Sequence, residues 1–317
     1  MSLKIIGVGK GTPKKRVTND DLAVFLDTND DWIVSRTGIK SRYVCTDETL
    51  TDLSAAAALQ AAQKAGLSAA DIDLILCTTI GGDYRTPSLA CCLAERIGAD
   101  CPAFDINAAC TGFIYALDVA SLYLSRNNVK NILIVCAEMM SKHADWNDRS
   151  TCVLFGDGAA ACVVTGGTGI KYINLTAKGN SKLINLPSGT GNSPFTSNSS
   201  AGYMHMEGQE VFKFAVTMVE NETRRALKTL TLSPEDIDFF LLHQANKRIV
   251  DSIRTKLRQP GEKFPVNIDR YGNLSSASLP LLLFEMLENG TIKTGDTLFM
   301  SAFGAGMTAG SCVMVWE

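Results

Sequence analysis

The segment GLSAADIDLILCTT at residues 66–79 is repeated later in the chain as TLSPEDIDFFLLHQ at residues 231–244. Ser68 matches Ser233 at an offset of 165 residues, and each segment runs from polar turn residues into a short apolar run. A short apolar run bounded by turn residues is typical of a buried β-strand. The repeat therefore predicts the same turn and strand at two places in the fold.

Two other pairs of segments repeat in a consistent chain order. NILIVCA at residues 131–137 resembles DTLFMSA at residues 296–302, and AFDINAAC at residues 103–110 resembles PVNIDRYGN at residues 265–273. Helical segments alternate with these β-rich runs, which is the pattern of α/β folds. In each half, the predicted order is helix, strand, short turn, helix and strand.

The sequence therefore predicts an α/β fold made of two duplicated halves, residues 1–168 and 169–317, packed on each other. Residues 186–202 are rich in Ser, Asn, Gly and Pro, so we expect a surface loop there. Ligands of α/β sheets bind at the carboxyl ends of strands. Functional residues are therefore expected where the predicted strands end.

The composition describes a soluble globular protein and gives no sign of a membrane or nucleic-acid partner. Of the 317 residues, 46% are hydrophobic and 20% are charged, and the formal net charge is -3. No apolar run reaches the roughly 20 residues that span a bilayer, and the first residues lack the apolar core of a signal peptide. The ten cysteines show no CxxC or metal-ligand spacing, so we expect reduced thiols, no metal and a cytoplasmic location.

Cys110 is the first candidate for chemistry. It lies in NAACTGF at residues 107–113, between the strand-like run PAFDI and an apolar segment, residues 111–124, that predicts a buried helix. An unpaired cysteine is most often a small buried hydrophobe, and the stretch by itself leaves that role open. At a helix N-terminus, however, the helix dipole favours the thiolate, so we expect a lowered thiol pKa.

His243 and Asn273 are the other candidates. His243 follows the apolar run FFLL, and Asn273 aligns with Cys110 at an offset of 163 residues, each expected after a strand and at the start of a helix. We expect the other two histidines outside the site, His143 in a polar surface stretch and His205 in a structural position. A core histidine and a helix-capping asparagine are the structural alternatives.

These motifs resemble those of a known enzyme family. AACTGF around Cys110, HQAN at His243 and YGNLSSAS around Asn273 are similar to the motifs of thiolase-fold condensing enzymes, and among them to β-ketoacyl-acyl-carrier-protein synthase III. The resemblance extends from near residue 3 to the C-terminus, with supporting stretches at 30–42, 148–161, 206–216 and 301–311. It implies a layered α-β-α-β-α core, a homodimer and the initiation of type II fatty acid synthesis.

The reaction implied by the resemblance is a decarboxylative Claisen condensation. Cys110 attacks the thioester of an acyl-CoA primer, which is a substrate rather than a cofactor, and forms an acyl-enzyme. His243 and Asn273 stabilise the enolate left when malonyl-acyl carrier protein loses carbon dioxide. The implied oxyanion hole consists of the backbone N–H groups of Cys110 and Ala305. Many relatives have glycine at the second position, and alanine restricts φ there.

The resemblance also assigns binding residues. The CoA-binding residues are Trp32, Arg36, Arg149 and Asn246, with the adenine between Trp32 and Arg149. The carrier protein would dock on a basic face formed by Lys213, Lys247, Arg248, Arg254 and Lys256. The acyl pocket would include Thr86, Leu186 and Met204. In the family, residue 86 reaches the pocket of the partner subunit, and relatives restricted to acetyl carry phenylalanine there, so Thr86 predicts a larger primer.

Several other functions use similar residues. A thiolase requires a second cysteine in the C-terminal glycine-rich loop AFGAGMTAGS, and an HMG-CoA synthase requires a glutamate within residues 74–94; neither is present. Cys, His and Asn also form the catalytic set of papain-type hydrolases, so a thioester hydrolase stays open. An acyltransferase of secondary metabolism on the same fold also stays open, because it differs in the acceptor. The intact Cys110, His243 and Asn273 argue against a non-catalytic scaffold.

Overall fold

The structure is a computed structural model that describes residues 2–189, 191, 194, 195, 197 and 201–317. Its strands are β1 (Ser2–Gly11), β2 (Lys15–Thr18), β3 (Ser41–Val44), β4 (Leu74–Thr78), β5 (Ala103–Ile106), β6 (Asn131–Met139), β7 (Asp157–Gly167), β8 (Ile170–Asn180), β9 (Ile184–Asn185), β10 (His205–Met206), β11 (Phe239–Leu242), β12 (Thr297–Gly304) and β13 (Gly306–Val315). Its α-helices are α1 (Asn19–Ala23), α2 (Asp30–Thr37), α3 (Leu50–Lys64), α4 (Leu89–Ile97), α5 (Gly112–Tyr123), α6 (Gly208–Leu230), α7 (Lys247–Leu257), α8 (Ile268–Tyr271) and α9 (Ser278–Glu288).

Two large sheets repeat one strand order. The first has the order β1-β7-β6-β4-β5, and the second has the order β8-β13-β12-β11. In both, the strand that follows the repeated turn pairs in parallel with its neighbour, as β4 does with β6 and β11 with β12. The two sheets are therefore built alike. The predicted division at residues 168 and 169 falls between β7 and β8.

The repeated Ser-x-x-Asp pattern acts as a capping box before each parallel strand. The Asp71 carboxylate accepts hydrogen bonds from the backbone N–H and the hydroxyl of Ser68, at 2.8 and 2.6 Å. Asp236 accepts the same two bonds from Ser233, at 2.7 and 2.8 Å. These bonds satisfy N–H groups at the start of a short 3-10 turn. They explain why the repeat is preserved in the turn as well as in the strand.

The sheets and helices stack in five layers. One core cluster joins α5 and α9 to the inner faces of both sheets, while α3 and α4 cover the outer face of the first sheet. On the outer face of the second sheet lie α6 and α7. Strands covered on both faces are expected to be apolar throughout, and β4 is buried at every residue. The α-β-α-β-α order agrees with the predicted fold class.

The third pair of repeated segments was aligned wrongly. Two residues with matching positive φ, Ala109 at 48° and Ser275 at 49°, begin equivalent 3-10 turns before α5 and α9. Their offset is 166 residues, so the counterpart of Asn273 is Asn107 rather than Cys110. The strand expected before Asn273 is also absent from the described strands, because residues 265–267 belong to none of them and are followed by α8.

The two segments expected to be loops differ in the structure. The segment AFGAGMTAGS is mostly strand, since only Ala305 separates β12 from β13. In the predicted surface loop at residues 186–202, residues 190, 192, 193, 196 and 198–200 lie outside the described part, and most of the others are exposed. Among the helices that the structure describes, none is both long and apolar enough to cross a membrane.

Candidate active site

Cys110, His243 and Asn273 line one pocket of about 240 Å³. The remaining lining is mostly apolar and comes from both halves of the chain; it includes Ile80, Met140, Phe155, Leu186, Met204, Met206, Val211 and Phe303. A concave apolar pocket with a few convergent polar groups is the usual form of a small-molecule site. The three residues singled out in the sequence therefore meet in a single site.

Cys110 lies in the 3-10 turn Ala109–Thr111, two residues before α5 begins, and is partly exposed. Burial raises the pKa of its thiol to about 12; the neighbouring Ser275 side chain lowers the pKa and the charge of Glu138 raises it. The predicted lowering of the pKa is therefore wrong in direction, because the surroundings of the sulfur are desolvated and hold a carboxylate rather than a cation. The resting thiol is protonated and needs a proton acceptor when it attacks.

His243 follows β11 directly, and its backbone N–H donates to the Ser301 carbonyl at 2.9 Å. Its ring is almost fully buried and packs edge-on against Phe303, with ring centroids 5.4 Å apart. Neither ring nitrogen has a hydrogen-bond partner within the described part of the chain. Burial lowers the pKa of His243 to about 3, so the ring is neutral and offers one N–H donor and one acceptor. Buried polar groups are rarely left unpaired, and here a bound molecule can satisfy them.

Asn273 lies in the turn between α8 and α9. Its backbone N–H donates to the Leu154 carbonyl at 2.8 Å, and its own carbonyl accepts from Gly156 at 3.1 Å. Its side-chain Oδ1 accepts from the Ser275 N–H at 2.8 Å, which leaves the Nδ2 protons to donate into the pocket. A neutral imidazole and a carboxamide thus present donors to one site.

Ala305 reaches the same pocket from the end of β12. The preceding Gly304 packs so closely that a Cβ there would lie 2.7 Å from the backbone nitrogen of Cys110. Glycine is required at 304, whereas Ala305 is not among the described non-glycine residues with positive φ. Alanine therefore suits the backbone at 305.

A buried carboxylate next to the nucleophile was not predicted from the sequence. Glu138, near the end of β6, is fully buried and accepts hydrogen bonds from the hydroxyls of Ser275 and Ser276, at 3.0 and 2.7 Å. Burial raises the pKa of Glu138 to about 7. The available signal was a single acidic residue in the otherwise apolar run NILIVCAEM.

Trp32 lies close to two arginines at the surface. The guanidinium carbons of Arg36 and Arg149 are 4.6 and 5.1 Å from the centroid of its indole ring. Asn246 caps α7 by accepting from the Arg248 N–H at 2.9 Å, and its amide donates to the Arg36 carbonyl at 3.0 Å. An indole ring next to two guanidinium groups can bind a planar base by stacking and phosphates by charge. Asn246 connects this cluster to the His243 segment.

The predicted basic face extends over α6 and α7. Helix α7 carries four cations and one carboxylate, and the Arg248 guanidinium lies 5.7 Å from the centroid of the Phe212 ring, next to Lys213. Ion pairs join Lys213 to Glu210, Lys247 to Asp251 and Lys256 to Glu220. Within the described residues, Arg254 has no ion-pair partner, so the face keeps an excess of positive charge.

Of the three predicted acyl-pocket residues, Leu186 and Met204 line the pocket. Thr86 is exposed on the loop between β4 and α4 and lies outside this pocket. His143 is half-buried rather than on the surface, and burial lowers its pKa to about 4. His205 is exposed and pairs with Glu207. No cluster of three or more metal-binding side chains occurs in the part of the chain that the structure describes.

Comparisons with known proteins identify the family. Models of 3-oxoacyl-[acyl-carrier-protein] synthase III match residues 104–180, and models of its C-terminal part match residues 227–316. The chain is 45% identical to the β-ketoacyl-[acyl-carrier-protein] synthase III of Clostridium perfringens, over 98% of both chains. It is 41% identical to the solved enzyme of Aquifex aeolicus, with a TM-score of 0.92 and coverage of 99% and 100%. The chain belongs to the β-ketoacyl-acyl-carrier-protein synthase III family.

This membership confirms the predicted family, the thiolase-like fold and an acyl-transferring condensing enzyme. The fold also occurs in a solved priming β-ketosynthase of the R1128 polyketide pathway, which is 32% identical, with a TM-score of 0.92 and coverage of 100% and 97%. The identity to that polyketide enzyme is lower than to the two synthases named above.

Proposed function

We propose that this protein condenses an acyl-CoA primer with malonyl-acyl carrier protein and so initiates type II fatty acid synthesis. The observation that carries the proposal is the meeting of Cys110, His243 and Asn273 in one largely apolar pocket of a chain that belongs to the synthase III family. The three groups have the chemistry that the two half-reactions need. One is a nucleophile, and the other two offer hydrogen bonds to a developing negative charge.

In the first half-reaction, Cys110 attacks the primer thioester and CoA leaves. The tetrahedral oxyanion lies against the backbone N–H groups of Cys110 and Ala305, whose segments are held together by the close packing of Gly304. Apolar side chains such as Leu186 and Met204 surround the acyl chain. Trp32 and Arg149 hold the adenine of CoA, Arg36 lies near a phosphate, and Asn246 lies near the pantetheine.

In the second half-reaction, malonyl-acyl carrier protein enters the emptied pocket. His243 and Asn273 donate hydrogen bonds to its thioester carbonyl, and loss of carbon dioxide leaves an enolate stabilised by both donors. The enolate carbon attacks the acyl-enzyme and releases the β-ketoacyl carrier protein. No strong base is required, because decarboxylation itself generates the carbanion. The proposal includes no cofactor or metal.

The test is an assay with purified enzyme, malonyl-acyl carrier protein and a panel of acyl-CoAs, with the product followed by mass. We expect a β-ketoacyl carrier protein that contains the primer carbons. Release of CoA without this product would instead identify a thioester hydrolase. Turnover with a different acceptor and none with malonyl-acyl carrier protein would identify a secondary-metabolism acyltransferase. We further propose a homodimer in the cytoplasm.

Arg248→Glu is expected to impair the carrier-protein step and to spare acylation by CoA. Arg248 lies at the start of α7, close to the segment that carries His243, and its charge can attract the acidic surface that the proposal assigns to the carrier protein. We expect kcat/KM for malonyl-acyl carrier protein to fall and its dependence on salt to weaken. Lys228→Glu, an exposed cation in the last turn of α6, is the matched control. Equal losses in both half-reactions would contradict docking at Arg248.

Thr86→Phe is expected to shift primer preference toward acetyl-CoA. In the family, residue 86 reaches the acyl pocket of the partner subunit, so a phenylalanine there would reduce the space for the primer. Each buried CH₂ contributes about 0.8 kcal/mol, so two more methylenes favour a butyryl-sized primer by about 1.6 kcal/mol, roughly 15-fold, where space permits. The measurement is kcat/KM for acetyl-, butyryl- and isobutyryl-CoA in wild type and variant. Thr229→Phe, at an exposed position on α6, controls for a new surface aromatic. A wild type restricted to acetyl and unchanged by Thr86→Phe would show that residue 86 does not limit the primer.

A further inference from the structure

Glu138 is a buried carboxylate to which the half-reactions above give no task. It is 0% exposed, and its two oxygens accept five hydrogen bonds from both halves of the chain. The donors are the Thr79 hydroxyl at 3.4 Å, the Ile80 N–H at 3.0 Å, the Ser275 hydroxyl at 3.0 Å, and the hydroxyl and N–H of Ser276 at 2.7 and 3.4 Å. None of the lysine, arginine or histidine side chains that the structure describes forms an ion pair with it.

Ser275 connects this carboxylate to the nucleophile. It lines the same pocket as Cys110, its side chain influences the pKa of the thiol, and its hydroxyl donates to Oε1 of Glu138 at 3.0 Å. A hydroxyl has one proton to donate and lone pairs to accept with, so it can give its proton to the carboxylate while it accepts that of the thiol. The positive φ of Ser275 and the bond from its N–H to Asn273 place the hydroxyl in this position.

We propose that Glu138 takes up the Cys110 proton through Ser275 during acylation and returns it during condensation. This relay rests on the proposed function. In acylation, the S–H bond breaks, the thiol proton moves to Ser275 Oγ, and the Ser275 proton moves to Glu138 Oε1. The sulfur electron pair forms the S–C bond to the acyl group. CoA leaves as a thiolate and takes its proton from water.

In condensation, the same route runs in reverse. The enolate carbon forms a C–C bond to the acyl carbon, and the C–S bond breaks with its electron pair on Cys110 Sγ. The proton held on Glu138 then passes to Ser275, and the Ser275 proton passes to the sulfur. The proton stored on Glu138 thus restores the thiol for the next primer, and no other proton donor is needed.

Glu138 is better suited than His243 to receive this proton. The pKa of Glu138 is about 7, and that of His243 is about 3, so the carboxylate is the stronger proton acceptor. The described ionisable groups that face Glu138 are the thiols of Cys110 and Cys136. Burial raises the pKa of both thiols to about 12, so neither is charged near neutrality. Glu138 accepts a proton only when ionised, so acylation should accelerate as pH rises through about 7.

The test is single-turnover acylation by acyl-CoA, followed by intact mass at pH values on both sides of 7. Glu138→Gln should slow acylation about 100-fold or more at the higher pH and remove the inflection, the usual scale for losing a general base. Ser275→Ala should produce the same profile, and the double variant should be no slower than either single variant. Glu138→Asp keeps a carboxylate and should retain an inflection.

Two measurements separate proton transfer from a structural role. Malonyl decarboxylation, which needs His243 and Asn273 but no thiol proton, should change far less in Glu138→Gln than acylation does. Infrared difference spectra should show a protonated carboxyl band on acylation of the wild type and none in Glu138→Gln. The matched control is Asp157→Asn, which alters another buried carboxylate, one that accepts bonds from Ser141 and Cys45. This control should keep the acylation inflection.

The outcomes distinguish the two proposals. A wild type that acyl-CoA does not acylate would overturn the proposed function, and the relay with it. If the wild type is acylated and Glu138→Gln is acylated at the same rate with the same pH inflection, the relay is overturned and the proposed function stands. Equal losses of acylation and decarboxylation in Glu138→Gln would also overturn it, because they would show that the carboxylate only supports the turn at residues 273–276.

Discussion

Replacement of Cys110 by alanine is expected to abolish acyl transfer from acyl-CoA. The substitution removes the only nucleophile in the described lining of the pocket that can form a thioester. Removal of the nucleophile of a well-studied protease lowers kcat by roughly 10⁶-fold, and a loss on that order is expected here. The measurement is incubation with acyl-CoA followed by intact mass and peptide mapping, which should place the acyl group of the wild type on Cys110.

Other cysteines provide the controls for this experiment. Cys91 is exposed and can react with added reagents, whereas Cys136 is buried in the first sheet near Glu138. Cys91→Ala should be acylated like the wild type. Decarboxylation of malonyl-acyl carrier protein should survive in Cys110→Ala, because His243 and Asn273 remain in place. An acyl group mapped to Cys77 or Cys136 would show that the nucleophile was wrongly assigned.

The fold was predictable because its repeat depends on local hydrogen bonds and on apolar strands, and both leave a recognisable sequence pattern. The Ser68 and Ser233 capping boxes each require a serine and an aspartate three residues apart, so the pattern survives in the sequence. The turn that carries Cys110 is different. Its equivalence with the turn before α9 rests on the backbone, through the matching φ of Ala109 and Ser275, and the side chains at these two positions differ.

The candidate site was predictable in its residues but not in its electrostatics. A cysteine at a helix start suggested a lowered pKa, which considers only the helix dipole. The structure adds two influences that both raise the thiol pKa, against the effect of the dipole. They are desolvation of the sulfur, which is the larger, and the charge of Glu138. Desolvation depends on contacts between the two halves, since His243, Asn273 and Ser275 of the second half line the pocket around Cys110, whereas Glu138 acts from another strand of the first half. Sequence patterns within one segment do not contain that information.

His243→Ala and Asn273→Ala are each expected to slow malonyl decarboxylation by about 10²–10³-fold, the effect of removing one oxyanion donor. Each variant deletes one of two donors to the enolate. Acylation of Cys110 should be affected less, because its oxyanion is held by backbone N–H groups. The measurement is carbon dioxide release from malonyl-acyl carrier protein, beside single-turnover acylation of the same variants. Undiminished decarboxylation in the double variant would contradict the assignment.

Matched controls exist for both substitutions. His205→Ala removes an exposed imidazole from β10. Asn289→Ala removes a carboxamide that accepts the N–H of the residue two positions ahead at 3.0 Å, the same local bond that Asn273 makes, but Asn289 lies outside the pocket. Neither control should slow decarboxylation by more than a small factor. A loss in Asn289→Ala equal to that in Asn273→Ala would point to the turn rather than to a donor.

The pH dependence of decarboxylation should separate it from acylation. Burial lowers the pKa of His243 to about 3, so the imidazole is neutral at every pH well above that value and its N–H is always available. Only protonation, as pH falls toward about 3, changes its charge. Decarboxylation should therefore be flat through neutral pH, while acylation rises through about 7 with ionisation of Glu138. A shared inflection near 7 in both half-reactions would mean that one titrating group controls both. That result would contradict the assignment of separate residues to acylation and decarboxylation.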